Sequence, residues 1–253
     1  MMNKEKLMEH AESLEEKELE WERQGQLLAR FYEAGQDVTP PTNFADAFRP
    51  TDRILRCIDE RTKGGLPLAG SGILLGRKEA FRIAREMQVG AVTSHEGCGA
   101  AKMAVERFNG VTPDSVVERH AKEWSIMLAK ELGVHYAGHL DVAPHFHNAR
   151  VAYYDASGSF DWSRVKDLPA GFRISRKYLP PDYAKTEIGL AVSIARGIHG
   201  YGSIIPLRDE RNSKFILAAI GGKEELPRMV EELKSVAAKY YGSVIIKTLQ
   251  IPH

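Results

Sequence analysis

Cysteine is nearly absent: the chain of 253 residues holds two, Cys57 and Cys98. A disulfide-rich secreted scaffold is thereby excluded, and a reducing cytosol disfavours the one bridge they could form. Long hydrophobic runs are absent too. No stretch of about 18 apolar residues occurs, so no membrane-crossing helix is expected. Charge of one sign is missing: the formal net charge is +1. This gives no electrostatic case for nucleic acid or an anionic membrane as partner. The opening segment, MMNKEKLMEHAESLEEKELEWERQ, lacks the apolar core of a leader peptide, so a cytoplasmic location is expected. No internal sequence repeat and no low-complexity tract is visible. What remains is an ordinary globular composition, 43% hydrophobic and 27% charged. The length suits one large α/β domain or two small ones.

Residues from about Lys4 to Ala34 read as one long helix with a narrow ridge of Leu7, Leu14, Trp21 and Leu28. Pro40 and Pro41 end it. The expected organisation is a helical arm over 1–50 and an α/β core over 51–253, with a C-terminal extension from about 168. In the core, strand-like and helix-like segments alternate. RILRCID and VGAVTSH read as buried strands, and GRKEAFRIAREMQ between them as a helix. GAAKMAVERF opens a helix after Gly99, and SVVERHAKEWSIMLAKEL is amphipathic, with Val117, Ala121, Trp124, Leu128 and Leu132 on one side. ARVAYYDASGSFDW reads as two strands around a turn at Ser157-Gly158. KFILAAIGG, a helix over about 223–240 and SVIIKTLQI form a closing β-α-β unit. The fold class expected is α/β, a mostly parallel central sheet flanked by helices.

Both cysteines stand beside acid, base and imidazole. Cys57 is followed by Asp59 and Arg61, and Cys98 lies three residues after His95. Cys57 and His95 fall at the ends of successive predicted strands, where open α/β sheets bind ligands. Two thiolates and an imidazole make a Zn²⁺ ligand set with a fourth position left for water. A helix starting near Ala100 puts its positive dipole end beside Cys98 and favours the thiolate. Alternate strand residues point the same way, so Asp59 and Arg61 would face the side of Cys57. Alone, Cys57 reads as a core residue and His95 as a loop histidine; the combination is what points to a metal.

CIDER at Cys57–Arg61 and HEGCG at His95–Gly99 resemble the two signature motifs of β-class carbonic anhydrases, and Leu68-Ala69-Gly70 resembles the family's segment between them. The resemblance covers roughly residues 1–165. It implies that Cys57, His95 and Cys98 bind Zn²⁺, while Asp59 and Arg61 sit beside the metal and govern its fourth position. It implies a lyase that reversibly hydrates carbon dioxide to bicarbonate. The long helix is similar to the family's dimer-embracing arm, which implies a homodimer or a dimer of dimers. From about Leu168 onward the chain has no counterpart in the family. Two other functions are open: a zinc hydrolase of carbon disulfide or carbonyl sulfide, and a non-catalytic zinc-stabilised binding module.

Other motifs have plainer readings. GSGILLG, with Gly70, Gly72 and Gly76, lacks the lysine and hydroxyl of a phosphate loop and reads as a tight turn before a helix. His135 and His139 stand at helical i, i+4 spacing, and His145 and His147 follow; hydrogen-bonded or solvent-facing roles are expected, or a proton shuttle for one of them. RDER at Arg208–Arg211 reads as a charged loop.

Overall fold

A computed structural model describes residues 4–49, 52–109, 112–142, 146–197, 200–203 and 213–252. Arg208–Arg211 and His145 lie outside them, and the side chains of Leu7 and Leu14 lie outside those described. The chain forms α1 (Lys4–Glu33), β1 (Ile54–Arg56), β2 (Leu66–Pro67), α2 (Arg77–Glu86), β3 (Ala91–His95), α3 (Gly99–Asn109), α4 (Asp114–Leu132) and β4 (His135–Leu140). It continues through β5 (Val151–Asp155), β6 (Phe172–Ser175), α5 (Pro181–Arg196), β7 (Phe215–Gly221), α6 (Leu226–Ala237) and β8 (Val244–Gln250).

The α/β class holds, but the strands divide into two parallel sheets rather than one central sheet. Their orders are β2-β1-β3-β4 and β6-β5-β7-β8. Both sheets therefore have the same topology, although the sequence carries no visible repeat. In each, the chain reverses its direction of winding between the first and third strands, which leaves a crevice at their carboxyl ends. One continuous apolar core joins the sheets, running from Leu55 and Val92 through Ile188 and Ala191 of α5 to Leu217 and Leu233.

The second sheet is covered on both faces, as its strands dictate by alternation. Ala152, Tyr154, Leu217 and Ala219 face the core shared with α5 and α6. Val151, Tyr153, Ile216, Ala218 and Ile220 face Leu28 and Phe31 of α1. The described half of the α1 ridge is thus buried inside its own chain, with Trp21 8% and Leu28 0% exposed. The Arg150 guanidinium lies 3.8 Å from the centre of the Trp21 ring. Its Nη2 donates to the Trp21 carbonyl at 2.7 Å. Beyond the helix, Val38 N–H donates to Thr248 O, and the chain runs beside β8 through a bridge at Asp37.

One expectation fails locally. The predicted hairpin over 149–162 supplies one strand, β5; its second half is a loop and a short 3₁₀ turn, Trp162–Arg164. The cause is Asp155, whose carboxylate gathers the N–H groups of Ser157 and Phe160 and folds the chain back on itself. His135 and His139 lie on strand β4, where His139 has the expected hydrogen-bonded role through Ser94. The GSGILLG segment is the expected turn, with Gly70, Ser71 and Gly72 at positive φ before α2.

Candidate metal centre

β1 and β3 are hydrogen-bonded parallel neighbours, pairing Leu55 with Val92. Cys57 lies one residue beyond β1, His95 ends β3, and Cys98 immediately precedes α3. The expected convergence is present: the ligand atoms of Cys57, His95 and Cys98 all lie within 4.8 Å of one another, and all three residues are buried. His95 Nδ1 lies 2.7 Å from the Glu96 carbonyl, which fixes the proton on Nδ1. Nε2 is left buried without a hydrogen-bond partner. A buried, unpartnered imidazole nitrogen beside two thiols is the arrangement that a metal ion satisfies once the proton is displaced.

The proton affinities of the three groups are interlocked. Cys98 is pushed below the ordinary thiol range by its hydrogen bond with Cys57, against burial, with help from the N–H groups of Ala101 and Ala100 at the start of α3. Cys57 is pushed up by the same hydrogen bond and by burial. Burial works against the His95 imidazolium, but Cys57 and Asp59 outweigh it and raise its pKa to about 9. Three groups therefore compete for protons at one buried spot, and a bound dication would displace those protons. The Gly70 N–H donates to Cys57 Sγ at 3.1 Å. A methyl group at Gly70 would sit 2.8 Å from Ile73 Cγ2 and 3.4 Å from Cys98 Sγ, at a φ of +52°. Only glycine lets this backbone approach the sulfurs without strain.

Asp59 and Arg61 form a buried two-pronged ion pair. Asp59 Oδ2 accepts from Arg61 Nη2 at 2.7 Å, and Oδ1 accepts from Arg61 Nε at 2.9 Å. Burial alone would raise the Asp59 pKa; His147 and Arg61 reverse the shift and hold it well below the usual carboxylate range. His147 was one histidine among several in the sequence, and nothing there set it apart. In the fold its Nε2 lies 3.3 Å from Arg61 Nη2, and its Nδ1 lies within 3.2 Å of both Glu60 carboxylate oxygens. Asp59, Glu60 and His147 also converge closely enough to suit a metal. Arg61 already supplies the cation there, so the cysteine-containing set is the stronger candidate.

No family model, no curated protein and no solved structure matches this chain. The assignment of the centre therefore rests on its own geometry.

A cavity of about 660 Å³ opens over the centre, with Arg61, Cys98, Lys102, Glu118, His147 and Ile194 among its walls. Glu118 Oε1 accepts from the Gly97 N–H at 2.7 Å and so braces the loop between His95 and Cys98. Glu118 Oε2 lies 2.7 Å from His139 Nε2, and His139 Nδ1 lies 2.7 Å from Ser94 Oγ.

The C-terminal part, which had no assigned role in the sequence, builds the other side of the site. Ile194 of α5 covers Gly99, where a methyl group would meet Ile194 Cδ1 at 2.4 Å. Arg173 of β6 donates its backbone N–H to Ile58 O at 3.1 Å and its guanidinium to Thr62 O at 3.0 Å. Both acceptors lie in the loop that carries Asp59 and Arg61. The signal that could have revealed α5 is Pro180-Pro181, since proline is favoured in a helix's first turn, where α5 begins.

Proposed function

We propose that the chain is a zinc enzyme that reversibly hydrates carbon dioxide to bicarbonate. The observation that carries this reading is the buried Cys57, His95 and Cys98 set, with His95 Nε2 unpartnered, beside an Asp59–Arg61 pair, with Cys98 and Arg61 reaching the wall of an open cavity. Two sulfurs and one imidazole nitrogen suit zinc, and three ligands are the number typical of catalytic rather than structural zinc. When bound, zinc supplies the Lewis acidity that makes hydroxide available near neutral pH. Arg61 keeps Asp59 ionised and turned towards the guanidinium. Asp59 would then accept a hydrogen bond from the attacking water through a carboxylate oxygen and orient it. Ile194 and Val117 give the cavity an apolar wall that admits a nonpolar gas. That wall, and a volume well above the needs of carbon dioxide, favour testing carbonyl sulfide and carbon disulfide alongside.

Elemental analysis and stopped-flow hydration test the reading together. One zinc per chain and rapid hydration are expected. Asp59→Ala should keep its zinc and lose activity by about tenfold or more, and Arg61→Ala should lose a similar amount. Zinc-replete protein inactive on all three substrates would sink the catalytic reading and leave a zinc-stabilised binding module. Light scattering of the full chain reports whether the homodimer or dimer of dimers implied by the resemblance forms.

A further inference from the structure

Glu187 is buried on α5 and takes no part in the chemistry proposed for the metal centre. Its Oε1 accepts the Ala69 N–H at 2.8 Å, across 118 residues of sequence. Its Oε2 is buried without a hydrogen-bond partner. Isolating a carboxyl group in this way is costly, because it gives up water and gains one bond. The next residue along is Gly70, whose N–H points at Cys57 Sγ. The Ala69–Gly70 turn is held in the left-handed region from Gly70 to Gly72, where a free chain would not stay. The Glu187 acceptor and the Cys57 acceptor thus take successive backbone N–H groups of one constrained turn.

We propose that Glu187 is a positioning residue for the metal centre: from the second half of the chain it locks the Ala69–Gly70 turn so that the Gly70 N–H is aimed at Cys57 Sγ. Its contact is with the backbone of the turn, and it acts on the ligand through it. The proposal rests on the metal reading. It adds that the ligand geometry on the first sheet depends on a side chain from the second half. Hydrogen bonds to a ligand's surroundings commonly tune metal affinity by about 10- to 100-fold.

Co²⁺ titration with Zn²⁺ competition is the test, on full-length protein, with the alkylation rate of Cys57 in metal-free protein as a readout that needs no metal. Glu187→Leu removes the acceptor, and Glu187→Asp shortens its reach. Both should weaken Co²⁺ and Zn²⁺ binding by about tenfold or more, alter the thiolate-to-cobalt absorption and change the Cys57 alkylation rate. Glu187→Gln keeps an acceptor of the same reach and should match wild type in all three. If Glu187→Leu does not fold, Glu187→Asp carries the loss arm. A folded loss variant with wild-type affinity and cobalt spectrum overturns the proposal and leaves the metal reading intact. A Glu187→Gln variant as weak as the loss variants also overturns it. Failure of wild type to take up cobalt overturns the metal reading, and this proposal with it.

Discussion

The two sheets have the same strand order, yet their crevices are finished in opposite ways. At the end of β1 and β3, the first sheet leaves the buried His95 Nε2 without a partner and gathers two sulfurs around it. At the end of β5, the second sheet closes on itself. Asp155 accepts from Ser157 N at 2.9 Å, Ser157 Oγ at 2.8 Å and Phe160 N at 3.0 Å. At the end of β7, Gly222 N–H donates to Glu225 Oε2 at 3.0 Å. Among the described residues, no histidine, cysteine or acid group converges there as a ligand set. One topology thus carries an end loaded with candidate ligands and an end where Asp155 and Glu225 fold the loops back, although Ser175 Oγ at the end of β6 is also buried without a partner. An unmet buried donor or acceptor is costly, and such costs persist where a ligand relieves them. The division of labour is also physical: the second sheet's elements, through Arg173, Glu187 and Ile194, support the first sheet's site.

The largest effect expected in breaking this comparison is on the first sheet. On the proposed zinc reading, Cys98→Ser removes a ligand and should lower zinc affinity by more than about a hundredfold, read by competition with a chromogenic chelator. Asp155→Asn, at the corresponding end of the second sheet, should leave zinc affinity unchanged. Equal zinc retention by wild type and Cys98→Ser would erase the distinction between the two ends.

The next effect belongs to the second sheet. Phe31 is fully buried on α1 against Val151, Tyr153 and Ile216. Phe31→Ala should cost about 3–5 kcal/mol of stability in denaturant titration, through lost burial and the cavity left behind. Zinc affinity of the folded variant should stay near wild type. A stability change below about 1 kcal/mol would mean that α1 is a detachable arm after all.

What could be read beforehand follows the range of the interactions. The ends of β1 and β3, the start of α3 and the two motifs that carry Cys57, His95 and Cys98 are set by residues close in sequence, and hydrophobic period and motif spacing expose them. α1 was legible as a helix, but not its docking on its own second sheet, because Leu28 and Phe31 meet Val151 and Ile216 only through the fold. The hairpin misreading has a local cause: the alternation after Gly158 looks like a strand, and the Asp155 side chain overrides it. His147 and Glu187 were not legible as site residues. Their partners, Glu60, Arg61 and Ala69, lie far away in sequence and leave no periodic trace.

The smallest effect, per step of pH, sharpens the comparison through two buried acids. Asp59 faces a guanidinium, which outweighs burial together with His147. Glu187 faces one backbone N–H, and burial raises its pKa from 4.5 to about 8. For an acid raised in this way, the folded chain keeps its proton while the unfolded chain loses its own from the ordinary glutamate range upward. The unfolded state then binds fewer protons, so stability is full below about pH 4.5, falls as pH rises and levels off above about pH 8. Within that window the slope attributable to Glu187 reaches at most about 1.4 kcal/mol per pH unit. Glu187→Gln cannot ionise and keeps the acceptor for Ala69, so it should lack this slope. In metal-free protein, the stability of Glu187→Gln relative to wild type should therefore grow between pH 5 and pH 8, as read by urea titration at each pH. Other titrating groups are common to both proteins and cancel in the difference. A difference that stays flat across the window would mean that Glu187 ionises normally, and that water or a cation reaches its second oxygen. A difference of opposite sign would mean that the folded chain stabilises the carboxylate, as it does at Asp59, and the contrast between the two acids would be lost.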